Sequence, residues 1–130
     1  MTKTQPAVER RVDWFAAGIG LVLAVMLQLV GASLLFGGHR GQLVGQGLLT
    51  FLAVFAGGLL AGYLGPRAGA VWNGMVVCVA FIVVEELAGA VGPVGPIGSA
   101  GLDTLGLVLD DVLVLTGGTL GGLGARLVRR

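Results

Sequence analysis

The sequence predicts an all-α membrane protein: a four-transmembrane-helix bundle with both termini cytoplasmic. Three observations carry this. First, 55% of the 130 residues are hydrophobic and a further 25 are glycine, whereas only 12% are charged, about half the charged share that covers a soluble domain. Second, the apolar residues gather into four runs over 14–36, 43–64, 68–91 and 102–125, and about 20 such residues suffice to cross a hydrocarbon core of about 30 Å. Third, Lys and Arg fall on one side of those runs, as described below. The apolar content excludes disorder, and glycine without a three-residue period excludes collagen. A net charge of +1 gives no ground for a nucleic-acid partner. Cys78 and His39 each stand alone, so no intrachain disulfide and no metal or haem ligand set is expected.

Residues 1–13 carry Lys3, Glu9, Arg10, Arg11 and Asp13 and read as a polar cytoplasmic N-terminal arm. The single four-helix domain then occupies 14–130. The first run, 14–36, has no charge and only Gln28 and Ser33 as polar breaks. It is too long for the apolar region of a signal peptide and lacks a small-x-small cleavage site, so it is expected to stay attached. A short connection containing His39 and Arg40 leads to the second run, 43–64, with Gln46, Thr50 and Tyr63 as its polar members. Gly65, Pro66 and Arg67 form a turn, since glycine ends a helix readily and proline cannot continue it. The third run, 68–91, opens near Trp72 and Asn73, read as interface markers, and meets Glu85 and Glu86 in its last third. The 92–101 segment, GPVGPIGSAG, cannot form a regular element and reads as the longest loop. The fourth run, 102–125, contains Asp103, Asp110 and Asp111 and is followed by Arg126, Arg129 and Arg130.

With four spans, one side of the membrane receives Lys3, Arg10, Arg11, Arg67, Arg126, Arg129 and Arg130, and the other only Arg40. Short loops rich in Lys and Arg stay in the cytoplasm, which places both termini inside and the Arg40 and Pro93 loops outside. Trp14 and Trp72 then lie at the inner interface, where amphipathic rings prefer to sit.

The carboxylates admit two readings. If the third helix ended at Val84 and the fourth began at Val112, the acids would lie on a long outer loop. The fourth helix would then span only about 21 Å, short of the core. Adding 102–109 restores the length and carries Asp110 and Asp111 into the membrane. In that version Glu85 and Asp110 lie roughly 9 and 12 Å deep, and Gln28 and Thr50 roughly 12 and 10 Å, so all four helices offer a polar group to one layer. Glu85, Glu86, Asp110, Asp111, Gln28 and Thr50 are thus the candidate buried polar or ion site. With no Lys or Arg in the membrane, clustered carboxylates must bind a cation, admit water or hold protons. Each aspartate costs about 2.5 to 3.5 kcal/mol on the insertion scale, so the fourth helix is expected to insert with the third as a hairpin.

Asp103, Gly106, Asp110, Gly117, Gly121 and Gly124 follow one seam of the fourth helix, acids in its outer half and glycines in its inner half. Gly58 with Gly62 and Gly117 with Gly121 have GxxxG spacing and are the candidate helix-packing positions; Gly118 with Gly122 and Gly65 with Gly69 share it. Such spacing serves tight packing within one chain, or contact with another copy. The segments GGLLAGYLGPR from Gly57 and GGTLGGLGAR from Gly117 repeat weakly, which two hairpins of the same orientation would produce; convergence in a glycine-rich chain explains it almost as well.

No phosphate loop, serine-hydrolase set or other catalytic signature accompanies these glycines. With the stretch GGLLAGYLGPRAGAVWNG and the closing GGTLGGLGAR, the chain resembles the small, glycine-rich, four-helix prokaryotic membrane proteins grouped in families of unknown function. The resemblance implies a four-helix integral membrane protein and supplies no activity. The expectation is a multi-pass protein of the cell membrane, not an enzyme, without cofactor, metal or catalytic residues. Its partners would be the lipid bilayer and another copy or a larger membrane complex, with no nucleic acid. A structural or helix-packing role is favoured because no polar path reaches the inner side; a proton- or cation-handling role for the outer carboxylates is the alternative.

Overall fold

The computed structural model describes residues 12–37, 43–91 and 104–130. The expectations for 1–11, for the connection with His39 and Arg40, for the 92–101 loop, and for Leu102 and Asp103 lie outside the described residues. Four helices account for nearly all of the rest: α1 (Trp14–Phe36), α2 (Leu43–Leu64), α3 (Ala70–Val91) and α4 (Thr104–Val128). Among the described residues there is no strand. Each helix is long and apolar enough to cross a membrane, making this a multi-pass membrane protein.

The helix ends follow local chemistry. The Asp13 carboxylate accepts hydrogen bonds from the backbone N–H of Phe15 at 3.0 Å and Ala16 at 3.1 Å, capping α1; the residue read as part of the arm starts the helix. α1 stops at Gly37, whose φ of 61° is the left-handed conformation that a glycine cap adopts without steric cost. The bounds of α1 and α2 coincide with the apolar runs. α3 differs: Pro66 is extended, and a 3-10 turn over Arg67–Gly69 precedes the helix. The Gly69 N–H closes that turn on the Pro66 carbonyl at 2.8 Å. α4 is one continuous helix, which removes the reading in which it begins at Val112, and it runs on to Val128 rather than stopping at Ala125. Hydropathy falls at Arg126 but helical propensity does not, and cations suit a helix C-terminus.

Successive helices run in opposite directions. α2 and α3 pack against each other at the centre, α1 lies against one side of that pair and α4 against the other, with α2 and α4 making the most extensive contact. The bundle is inverted relative to a soluble one. Its buried hydrophobic residues are mostly alanines, among them Ala16, Ala24, Ala53, Ala61, Ala70 and Ala125, while large residues such as Leu34, Leu35, Val44 and Leu105 face outward. Between apolar helices in lipid, cohesion comes from close van der Waals contact rather than from removing oil from water, so small residues belong inside.

The two repeated glycine segments face each other across the contact between α2 and α4. A Cβ added at Gly58 would stand 2.6 Å from the Gly118 carbonyl oxygen and 2.9 Å from its Cα, and one at Gly62 would stand 2.9 Å from the Ala125 Cβ. At Gly117 and Gly121 an added Cβ would meet the backbone of α2, 2.9 Å from the Phe51 oxygen and 2.8 Å from the Leu59 nitrogen respectively. α3 enters the same knot, since a Cβ at Gly74 would lie 3.1 Å from the Gly122 Cα and one at Gly122 would lie 2.5 Å from the Ala70 oxygen. Only glycine lets three backbones converge in this way.

Candidate functional site

Beyond the glycine knot, toward the C-terminal end of α3 and the N-terminal end of α4, the helices part. Glu85 and Asp110 meet there. Each stands six residues from its helix end, at Val91 and Thr104, about 9 Å along the axis by helical rise, so the antiparallel pair brings the two to one level. The Glu85 side chain is buried, and Asp110 lines the same cavity from the facing helix. That cavity, of about 420 Å³, is lined by Gln46 and Gly47 of α2, Glu85 of α3, and Gly106, Asp110 and Leu113 of α4 among others.

The six sequence candidates do not form one cluster. Glu86, one residue on, is exposed, and Asp111 is half-buried; neither lines the cavity. A helix turns about 100° per residue, so adjacent acids cannot share a face. Gln28 and Thr50 are fully buried and pair with each other between α1 and α2, the Gln28 Nε2 donating to the Thr50 Oγ1 at 3.1 Å. They too stand apart from the cavity wall, and the Gln28 Oε1 has no hydrogen-bond partner in the bundle. These polar groups therefore form two separate sets, an amide–hydroxyl pair between α1 and α2 and the carboxyls of Glu85 and Asp110 between α3 and α4.

Three residues carry more than the sequence reading gave them. Gln46 lines the acidic cavity; its signal was its place four residues before Thr50, on neighbouring faces of α2. Asn73, read as an interface marker, is fully buried inside the bundle. It accepts from the Asp13 N–H at 2.9 Å and donates to the Ala61 carbonyl at 3.3 Å, tying α1 and α2 to α3. The Cys78 thiol is buried between α3 and α4, its Sγ 3.2 Å from both the Gly74 and the Val114 carbonyl oxygens.

Chemically, the pocket presents two carboxyl groups and one amide in apolar walls. Among the described residues, no group of three or more His, Cys, Asp or Glu side chains could hold a metal ion. Calcium takes six to eight oxygen ligands and magnesium demands octahedral geometry, more than this set provides. A proton or a group bearing a single positive charge fits it better. Between this pocket and the arginine end, α2, α3 and α4 touch backbone to backbone at Gly58, Gly74 and Gly118, which closes the middle of the bundle. Comparison of the chain with protein-family models, with curated proteins and with solved structures finds no match.

Proposed function

We propose that the protein has a non-enzymatic role in the cell membrane, in which the glycine-packed half holds the bundle and the acidic pocket of the other half takes up a proton or a positively charged group. The observation that carries this reading is the buried Glu85 against Asp110 on the wall of a cavity of about 420 Å³. The described cations, Arg67, Arg126, Arg129 and Arg130, all belong to the opposite end. An uncompensated charge within a span costs about 2.5 to 3.5 kcal/mol on the insertion scale, so carboxyls placed there favour acquiring a positive partner. The closed middle supports binding or sensing over conduction by a single chain.

The helix-packing role favoured by composition is retained in a narrower form. Gly58, Gly62, Gly117 and Gly121 are engaged within the chain, which supports an intramolecular use of their spacing. Contact with another copy or a larger membrane complex would fall to the apolar outer faces. In this proposal the chain sits with its arginine end in the cytoplasm and its acidic pocket toward the outside, supported by the seven-to-one distribution of Lys and Arg. Kinship with the small glycine-rich four-helix prokaryotic membrane proteins is likewise part of the proposal, supported by architecture alone.

The test is thermal unfolding of protein reconstituted in neutral lipid, followed across pH and across sodium and ethylammonium concentration. Wild type should shift its midpoint with pH or with a cation, and Glu85→Gln/Asp110→Asn should lose that dependence. A wild type insensitive to all three, or a double variant that responds as wild type does, would remove the reading.

A further inference from the structure

At the opposite end of the bundle a second cavity, of about 310 Å³, is lined by Arg67, Leu123, Arg126, Leu127 and Arg130. Its construction follows from helical spacing. Residues 123, 126 and 127 share one face of α4 by their intervals of three and four, Arg130 lies just past the helix end at Val128, and Arg67 reaches the same space from the 3-10 turn that joins α2 to α3. Three arginines therefore line one small cavity with two leucines.

No carboxylate side chain of the described residues stands beside them. Of the described acids, Glu85, Glu86, Asp110 and Asp111 belong to the far end of the bundle; Arg126 is 15 residues beyond Asp111 on α4, about 22 Å by helical rise. Asp13 is committed to capping α1. Arg129 is occupied differently: its Nη1 donates to the Gly65 carbonyl at 2.7 Å and its guanidinium stands 5.6 Å from the centre of the Tyr63 ring. That contact latches α4 to the end of α2, and leaves Arg67, Arg126 and Arg130 as the group seeking an anion. Guanidinium forks match phosphate oxygens two at a time.

The surroundings select the source of that anion. Trp14, Trp72 and Tyr63, all substantially exposed, belong to this same end, and exposed aromatic residues of this kind sit at the level of lipid headgroups. Leu123 and Leu127, 40% and 49% exposed, give the cavity an apolar wall that a soluble phosphate would not use but an acyl chain would. We propose that Arg67, Arg126 and Arg130, with Leu123 and Leu127, form a binding site for the headgroup phosphate of an anionic phospholipid.

The test uses the full chain purified in neutral detergent, titrated with phosphatidylglycerol or with phosphatidylcholine, with bound lipid counted by native mass spectrometry. One phosphatidylglycerol should be held per chain in preference to phosphatidylcholine. An arginine free to engage the lipid phosphate contributes about fivefold in affinity, so Arg126→Gln should weaken binding about fivefold and Arg67→Gln/Arg126→Gln/Arg130→Gln on the order of a hundredfold. Arg129→Gln removes the same charge from outside the cavity and should change binding less than about twofold. Melting of each variant without lipid, followed by circular dichroism, separates loss of the site from loss of the fold, and the single Arg126→Gln decides the matter if the triple variant does not fold. Equal retention of the two lipids, or equal losses from Arg126→Gln and Arg129→Gln, would overturn the site. Displacement of the lipid by a tenfold excess of inorganic phosphate would overturn the lipid assignment in favour of a soluble anion.

Discussion

Gly118 shows how little room single positions leave. A Cβ there would lie 2.8 Å from the Gly74 carbonyl oxygen and would collide with the Cys78 Sγ, so both a backbone and a buried thiol would have to move. Overpacking a tight contact typically costs about 1 to 3 kcal/mol. Gly118→Ala is therefore expected to destabilise the bundle by that amount in equilibrium unfolding in mixed micelles. Gly18, with nothing within 4 Å of an added Cβ, is the matched control: Gly18→Ala should be neutral or up to about 1 kcal/mol more stable, the helix-propensity difference. The Gln28–Thr50 pair makes a different prediction. Thr50→Val leaves the amide of Gln28 without its buried partner, and a stranded polar group costs more than a polar pair removed whole. Thr50→Val alone should thus be more destabilising than Gln28→Met/Thr50→Val, a reversal of additivity that the same unfolding assay reads.

Among the helices, the apolar runs carried α1 and α2 to their ends because hydropathy, helix breakers and caps coincide there: Asp13 before one and Gly65 with Pro66 after the other. They coincide less well at α4, where charge ends the apolar run but not the helix, so its last turn was illegible to hydropathy. The partnership of the glycine segments was half-legible. Spacing identified Gly58, Gly62, Gly117 and Gly121, but which helix meets which depends on the diagonal choice in a four-helix bundle, and sequence period says nothing of it. The acids were legible as a cluster between α3 and α4 and not as one particular pair: only the relative rotation of the two helices decides that Glu85 turns inward and Glu86 outward. Asn73 escaped because a polar residue beside Trp72 near a helix start has the pattern of an interface. Its two hydrogen bonds make it a joint between three helices, so Asn73→Leu should loosen the start of α1. Removing buried hydrogen bonds of this kind costs about 1 to 3 kcal/mol, and hydrogen exchange should show amides of the first two turns of α1 losing protection while those near Gly118 keep theirs.

The molecule as a whole is polarised. Its described arginines gather at one end and all its described acids but Asp13 at the other, with a glycine-packed middle between. That polarity predicts a fixed orientation: in a Cys78→Ser background, the thiol of Ser99→Cys should react with an impermeant reagent from the outside of sealed cells and not from the cytoplasmic face of inverted vesicles. It also confines the proposed chemistry to the outer end, where it depends on the two carboxyls lying within the bundle. A short bifunctional thiol reagent reads this most directly, applied in the Cys78→Ser background to Glu85→Cys/Asp110→Cys and to Glu86→Cys/Asp110→Cys. The first pair should cross-link within the monomer in high yield and the second should not. A first pair that stays unlinked, or two pairs that link alike, would contradict an acidic pocket between α3 and α4.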